Sequence, residues 1–176
     1  VDMSGIGVMY MTELLRLAPE GLEGMRAHVS CPDESVGRLL SDALQKLGCE
    51  RAPSGIRLML STDGRRLSLF DGNVRIGWRR AVAAYCLSQF EHDFPRALDA
   101  FAEQRGHRVY RYLLCPADGS DAEGRRLAAQ QQSARDGLML AIQLLGYMKR
   151  HGFGLEELDR QLPGFAVEES AVKLDR

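Results

Sequence analysis

The sequence predicts an α/β fold made of two small packed α/β units with mixed sheets. Three observations carry that prediction. Between Ile56 and Ile76, three runs of β-type residues are separated by Asp63-Gly64 and by Asp71-Gly72-Asn73. Between Val36 and Leu47, apolar residues recur at helical spacing. A short stretch of strand character, Arg26 to Cys31, stands just before that helix, so the order is strand, helix, meander.

The chain begins with a segment, residues 1–25, that resists assignment as a unit. Within it, Met9 to Leu17 reads as a short apolar helix stopped by Pro19 and Gly21. Its methionines and leucines are expected to pack into the core, with contact to a neighbouring domain as the competing reading. Arg26 to Cys31 follows as a strand, and Pro32-Asp33-Glu34 opens a helix, acidic side chains being favourable near the positive end of the helix dipole. Val36, Leu39, Leu40, Ala43, Leu44 and Leu47 then make one continuous stripe, closed by Gly48 as the residue past the end. Burying each leucine of that stripe is worth about 1.5–3 kcal/mol, and the meander is its expected partner. In the meander, Asp63-Gly64 is expected to be a tight type I′ hairpin turn, because glycine reaches positive φ without steric cost.

Beyond the meander, a helix is predicted from Trp78 through Leu87, and a break at Phe94-Pro95 opens another to Arg105. His107 to Leu114 alternates as a strand, Pro116 to Gly119 is a turn, and Ser120 to Gln132 is a polar helix or loop. A long helix begins near Ser133, with Asp136 serving its first turn and Leu138, Met139, Ile142, Leu145 and Met148 on its apolar side. Lys149, Arg150 and His151 suit its negative end, and Gly152 stops it. Leu155 to Leu162 is one more short helix, and Phe165 to Leu174 alternates weakly as an edge strand. The expected units are residues 26–78 and 79–176, after the unassigned 1–25.

Composition narrows the function classes. A formal net charge of −1 removes any general electrostatic case for nucleic acid. No apolar run approaches the roughly 20 residues that span a bilayer, and no signal-peptide pattern opens the chain. Cys31, Cys49, Cys86 and Cys115 are widely spaced without a C-x-x-C pair, so reduced thiols and a cytoplasmic location are expected. His28, His92, His107 and His151 never pair at metal-ligand spacing, and neither a phosphate-binding Walker loop nor a nucleophile elbow is present. The expectation is therefore no cofactor, no metal and no catalytic residue. The Arg65-Arg66 pair, with Arg75, Arg79 and Arg80, has the charge and forked donors to bind a phosphate, a solvated turn being the competing reading.

Taken together, Arg26 to Pro163 resembles the second and third domains of the α-D-phosphohexomutases, the phosphomannomutase/phosphoglucomutase family. Arg26 to Cys49 is similar to the strand and helix opening the family's second domain, including its Leu-Gly ending at Leu47-Gly48. Arg57 to Gly77 resembles the metal-loop hairpin, with Ser61-Thr62-Asp63-Gly64-Arg65-Arg66-Leu67 at its centre and Phe70-Asp71 and Ile76 downstream. Pro95 to Leu114 resembles a helix and strand of the third domain, and Asp136-Gly137-Leu138 through Leu162-Pro163 its closing signature. The collinear order is more specific than any one motif.

The departures point to a degenerate copy. Family metal loops carry three aspartates, whereas Ser61 and Arg65 stand at two of those positions and only Asp63 remains. Asp63, Gly64 and Arg66 would then be a vestigial metal loop, and Arg65 and Arg66 the candidate phosphate contacts. The loop expected between the Leu-Gly helix and the meander is short here, and no Gly-Glu-x-x-Gly-His sugar loop lies between Leu114 and Asp136. Similar degenerate regions occur fused behind sugar-1-phosphate nucleotidyltransferase domains, such as mannose-1-phosphate guanylyltransferase-like proteins. The resemblance thus implies a non-catalytic module of a sugar-nucleotide pathway protein, serving assembly or ligand sensing. The alternative it leaves open is a fragment of an active mutase whose other domains complete the site. Expected partners are other domains of the same parent protein, with a second copy and a sugar phosphate as further candidates, and neither nucleic acid nor membrane.

Overall fold

The structure, a computed structural model, describes residues 3–89 and 136–162. In chain order its elements are α1 (Met3–Leu17), β1 (Arg26–Ser30), α2 (Glu34–Lys46), β2 (Glu50–Arg51), β3 (Ile56–Leu60), β4 (Leu67–Asp71) and β5 (Val74–Ile76). Then come α3 (Trp78–Gln89), α4 (Gly137–His151) and α5 (Leu155–Gln161). The expected helix 95–105, strand 107–114, turn 116–119, polar segment 120–132 and edge strand 165–174 lie outside the described residues.

The architecture is α/β, around a five-stranded mixed sheet in the order β2-β1-β3-β4-β5. Side-chain alternation explains why one face is covered. Ile56, Leu58 and Leu60 on β3 are buried while Arg57 and Met59 between them are exposed, as strand geometry sends successive side chains to opposite faces. Leu58 pairs with Leu69, and Leu69 with Ile76, so a row of apolar residues crosses three strands on the core side.

β1 runs parallel to both β2 and β3, with Val29 opposite Leu58. Parallel neighbours need a crossover, and α2 supplies it between β1 and β2. Asp33 caps α2 by accepting from the Ser35 and Val36 amides, and Gly48 leaves it at φ +87°. Leu40, Ala43 and Leu44 are buried as the stripe predicts. Their partners differ from expectation: α2 leans chiefly on β1, β2 and α1, while α3, α4 and α5 cover the meander. The reason is connectivity, since a crossover helix lies over the parallel strands that it joins.

Two further corrections concern turns and edges. Leu60 pairs with Leu67, so the first meander loop is Ser61 to Arg66 rather than a two-residue turn at Asp63-Gly64. The tight turn is the second one, where Asp71 pairs with Val74 across Gly72-Asn73. β2, a strand that sequence reading did not expect, adds to the free side of β1 through Glu50 and Arg51.

α1 begins earlier than Met9, and core packing holds for part of it. Leu14 is fully buried, yet Met9 is 72% exposed. Polar contacts strap this end of the chain to α4. Gln143 donates to the Leu17 carbonyl at 2.7 Å, Lys149 to the Gly21 carbonyl at 2.7 Å and to Glu23 at 2.9 Å, and Arg150 pairs with Glu20 at 3.2 Å. On the other side, Arg80 of α3 reaches the Asp159 carboxylate of α5 at 2.7 Å.

Candidate functional site: the Ser61–Arg66 turn and its cleft

In open α/β sheets, ligands favour the carboxyl ends of parallel strands. Here β1 and β3 end side by side, and the thiol of Cys31, just past β1, donates to the Ser61 carbonyl at 3.5 Å. The turn that follows β3 is held by its own side chains. The Ser61 hydroxyl donates to Asp63 Oδ1 at 2.6 Å and accepts from the Arg66 amide at 3.0 Å. The Arg65 amide donates to the same Asp63 oxygen at 3.1 Å, and Arg65 Nε lies 3.8 Å from Oδ2. The Ser61 hydroxyl first, and then the Arg65 amide, hold the Asp63 carboxyl below the usual aspartate range.

Gly64 fits the turn to the rest of the fold. Its φ is +70°, and a Cβ there would sit 2.9 Å from Leu138 Cδ1 and 3.1 Å from Val36 Cγ1. Its carbonyl accepts from the Gly137 amide at 2.8 Å, an approach that only glycine permits at 137. A Cβ on Gly137 would lie 2.5 Å from that carbonyl oxygen. The turn is thus pinned between the first turns of α2 and α4.

An open cleft of about 300 Å³ lies over this junction, walled by Val36, Leu39 and Leu138 and edged by Asp63, Arg65, Tyr10 and Asp136. Asp136 caps α4, its Oδ1 accepting from Leu138 N at 3.0 Å and Met139 N at 3.1 Å. Its other oxygen accepts the Tyr10 hydroxyl. Burial first, and then the Asp136 carboxylate, push the Tyr10 phenol well above its ordinary value, so it stays a donor at neutral pH. Both carboxylates at the cleft are therefore engaged inside the protein, and Arg65 is its exposed cation. Such a site can receive a polar or anionic group, but it offers no activated nucleophile among the described residues.

The structure brings Asp63, Gly64 and Arg65 to one place and sends Arg66 elsewhere. The Arg66 guanidinium lies 4.8 Å from the ring centre of Trp78, which Arg79 also approaches at 5.1 Å. Arg75 sits over Phe70 on the sheet, and Arg80 is taken by Asp159. Tyr10 is the cleft residue that sequence reading missed. Its one signal is helical phase, four residues before the buried Leu14.

Among the described residues no group of three or more His, Cys, Asp or Glu side chains could hold a metal ion. Cys31 and Cys49 are free thiols, and burial pushes the Cys49 thiol up. No helix among the described residues is long and apolar enough to cross a membrane. Comparison with protein-family models and with curated proteins found no match for this chain.

Proposed function

We propose that this chain is a non-catalytic, phosphohexomutase-like module of a sugar-nucleotide pathway protein, serving assembly or ligand sensing. The expected parent is a fusion with a sugar-1-phosphate nucleotidyltransferase. One observation carries the reading: the Asp63 carboxylate is spent within its own turn, on the Ser61 hydroxyl, the Arg65 amide and the Arg65 side chain. A hard dication such as Mg²⁺ needs several free oxygens around it, and a guanidinium beside the one remaining acid repels it. Ser61 and Arg65 thus replace a metal by a hydrogen-bonded, self-neutralised loop. This supports a module that keeps the fold and has given up metal-assisted phosphoryl chemistry.

The test is a coupled assay for interconversion of hexose 1-phosphates and 6-phosphates, run beside thermal melting in millimolar Mg²⁺. The wild-type chain is expected to show no turnover and no Mg²⁺-dependent rise in Tm. The double variant Ser61→Asp with Arg65→Asp is expected to melt lower without metal and to recover with it, because binding only the folded state stabilises it. Turnover that co-purifies with the wild-type chain and disappears in Asp63→Asn would overturn the proposal.

A further inference from the structure

The sheet has a second face, which the helices among the described residues leave open. Strand register places His28, Arg57, Phe70 and Arg75 in one row across β1, β3, β4 and β5. Ser30, Met59 and Ser68 form the next row. Arg57 and Arg75 come from the strands on either side of β4, and their guanidinium carbons lie 4.5 Å and 5.5 Å from the ring centre of Phe70. Beside them Met59 is 38% exposed. A guanidinium stacked on a ring keeps its N–H edge available while its position is fixed, so less freedom is lost when it binds.

Charge pairing distinguishes Arg57 and Arg75 from most of the described arginines. Arg16, Arg26, Arg38, Arg80, Arg150 and Arg160 each have a carboxylate within 4.0 Å. Arg57 and Arg75 are exposed and have none among the described residues. Two fixed, unneutralised forks on a flat surface complement carboxylates, which they can take in bidentate fashion. The chemistry around them favours protein over nucleic acid. Arg, Phe and Met are the residue types enriched in protein–protein interfaces. Phe70 is already engaged by guanidinia rather than offered for base stacking. A net charge of −1 supplies no long-range attraction for a polyanion.

We propose that the open face of the sheet docks an acidic protein segment. Its carboxylates take the forks of Arg57 and Arg75, and an apolar side chain between them covers Met59. This docking surface is independent of the metal-loop cleft and of the function proposed for it.

The experiment uses the intact chain and a fluorescein-labelled extended peptide of alternating Glu and Val as probe, read by polarisation at low and physiological salt. Binding is expected, weakening with salt, and falling about tenfold in the double variant Arg57→Gln with Arg75→Gln. Arg57→Lys with Arg75→Lys is expected to fall between, since charge remains but the fork is lost. Arg38→Gln with Arg160→Gln, on other surfaces, is expected to leave binding within about twofold, the level of a typical exposed charge. Circular dichroism and melting check that each variant is folded. The proposal is overturned by absence of peptide binding, or by equal weakening in the Arg38/Arg160 control. It is overturned too if a labelled single-stranded oligonucleotide binds more tightly through the same two arginines, or if they mediate self-association in sedimentation.

Discussion

The meander contains the same dipeptide twice, and the two copies do different jobs. Asp71-Gly72 makes a tight turn with Gly72 at φ +55° and open space around it. Asp63-Gly64 sits in a longer loop with Gly64 at φ +70°, Val36 and Leu138 crowding the space a Cβ would take and its carbonyl bonded to Gly137. Asp63 is taken up by two neighbours in its own loop. The lesson is that Asp-Gly specifies a reversal of the chain, whereas what surrounds the reversal decides whether it is merely a turn or part of a site.

Glycine substitutions test this contrast most strongly. Gly137→Ala places a methyl against a backbone oxygen that cannot rotate away, and is expected to cost about 3 kcal/mol or more. Gly64→Ala adds left-handed backbone strain to side-chain crowding, for about 2–3 kcal/mol, whereas Gly72→Ala has the strain alone, for about 1 kcal/mol. Urea unfolding measures all three. Equal losses at 64 and 72 would remove the distinction between the turns.

Next in size is Tyr10→Phe, which acts only on the cleft beside the first turn. Losing its bond to Asp136 is expected to cost about 1 kcal/mol near neutral pH. Because the folded phenol titrates above its unfolded value, its contribution is complete below about pH 10 and declines as pH rises toward the folded value. The gap between wild type and Tyr10→Phe should therefore hold to about pH 10 and narrow above it, measured by urea midpoints. A gap that widens with alkali would mean that the hydroxyl is not the donor.

The smallest effect compares the acids. Asp63→Ala is expected to lower Tm more than Asp71→Ala, since the Asp63 carboxylate accepts two bonds within its loop. The folded Asp63 titrates below its unfolded value, so its contribution is present above about pH 3.9 and is lost as pH falls through the folded value. Calorimetry through that acid range should show the wild-type advantage over Asp63→Ala closing. Identical melting of the two variants at neutral pH would make the turns equivalent.

These contrasts also show what could be read from sequence. Periodic and capped elements were legible: the α2 stripe with Asp33 and Gly48, the alternation of β3, and α4 with its stop at Gly152, although its start was expected near Ser133 and Asp136 is instead the cap before Gly137. Each is written in residues close together, where helical or strand geometry acts directly. β2 was not legible, because Glu50 and Arg51 join the sheet through backbone bonds that leave no side-chain pattern. The first residues of α1 were obscured by Gly5 and Gly7, poor helix formers that nonetheless lie within it. The cleft itself was half visible. Asp63 and Gly64 stood out as a turn, but Tyr10 and Asp136 meet across 126 positions, and nothing local announces such a meeting.

That long reach has a consequence for synthesis on the ribosome. α1 leaves the ribosome long before Asp136, Gln143 and Lys149, the groups that tie it and the segment after it to α4, each 126 positions or more after its partner. At about 5–20 residues per second, on the order of ten seconds pass between the two events. During that interval the buried side of α1, with Leu14, has no α4 to rest on. The nascent chain therefore keeps the α4-facing side of α1 uncovered for far longer than helix formation itself takes, roughly a microsecond. A chaperone that shields α1 would raise the yield of folded protein, and a slow stretch of translation before α4 would lower it.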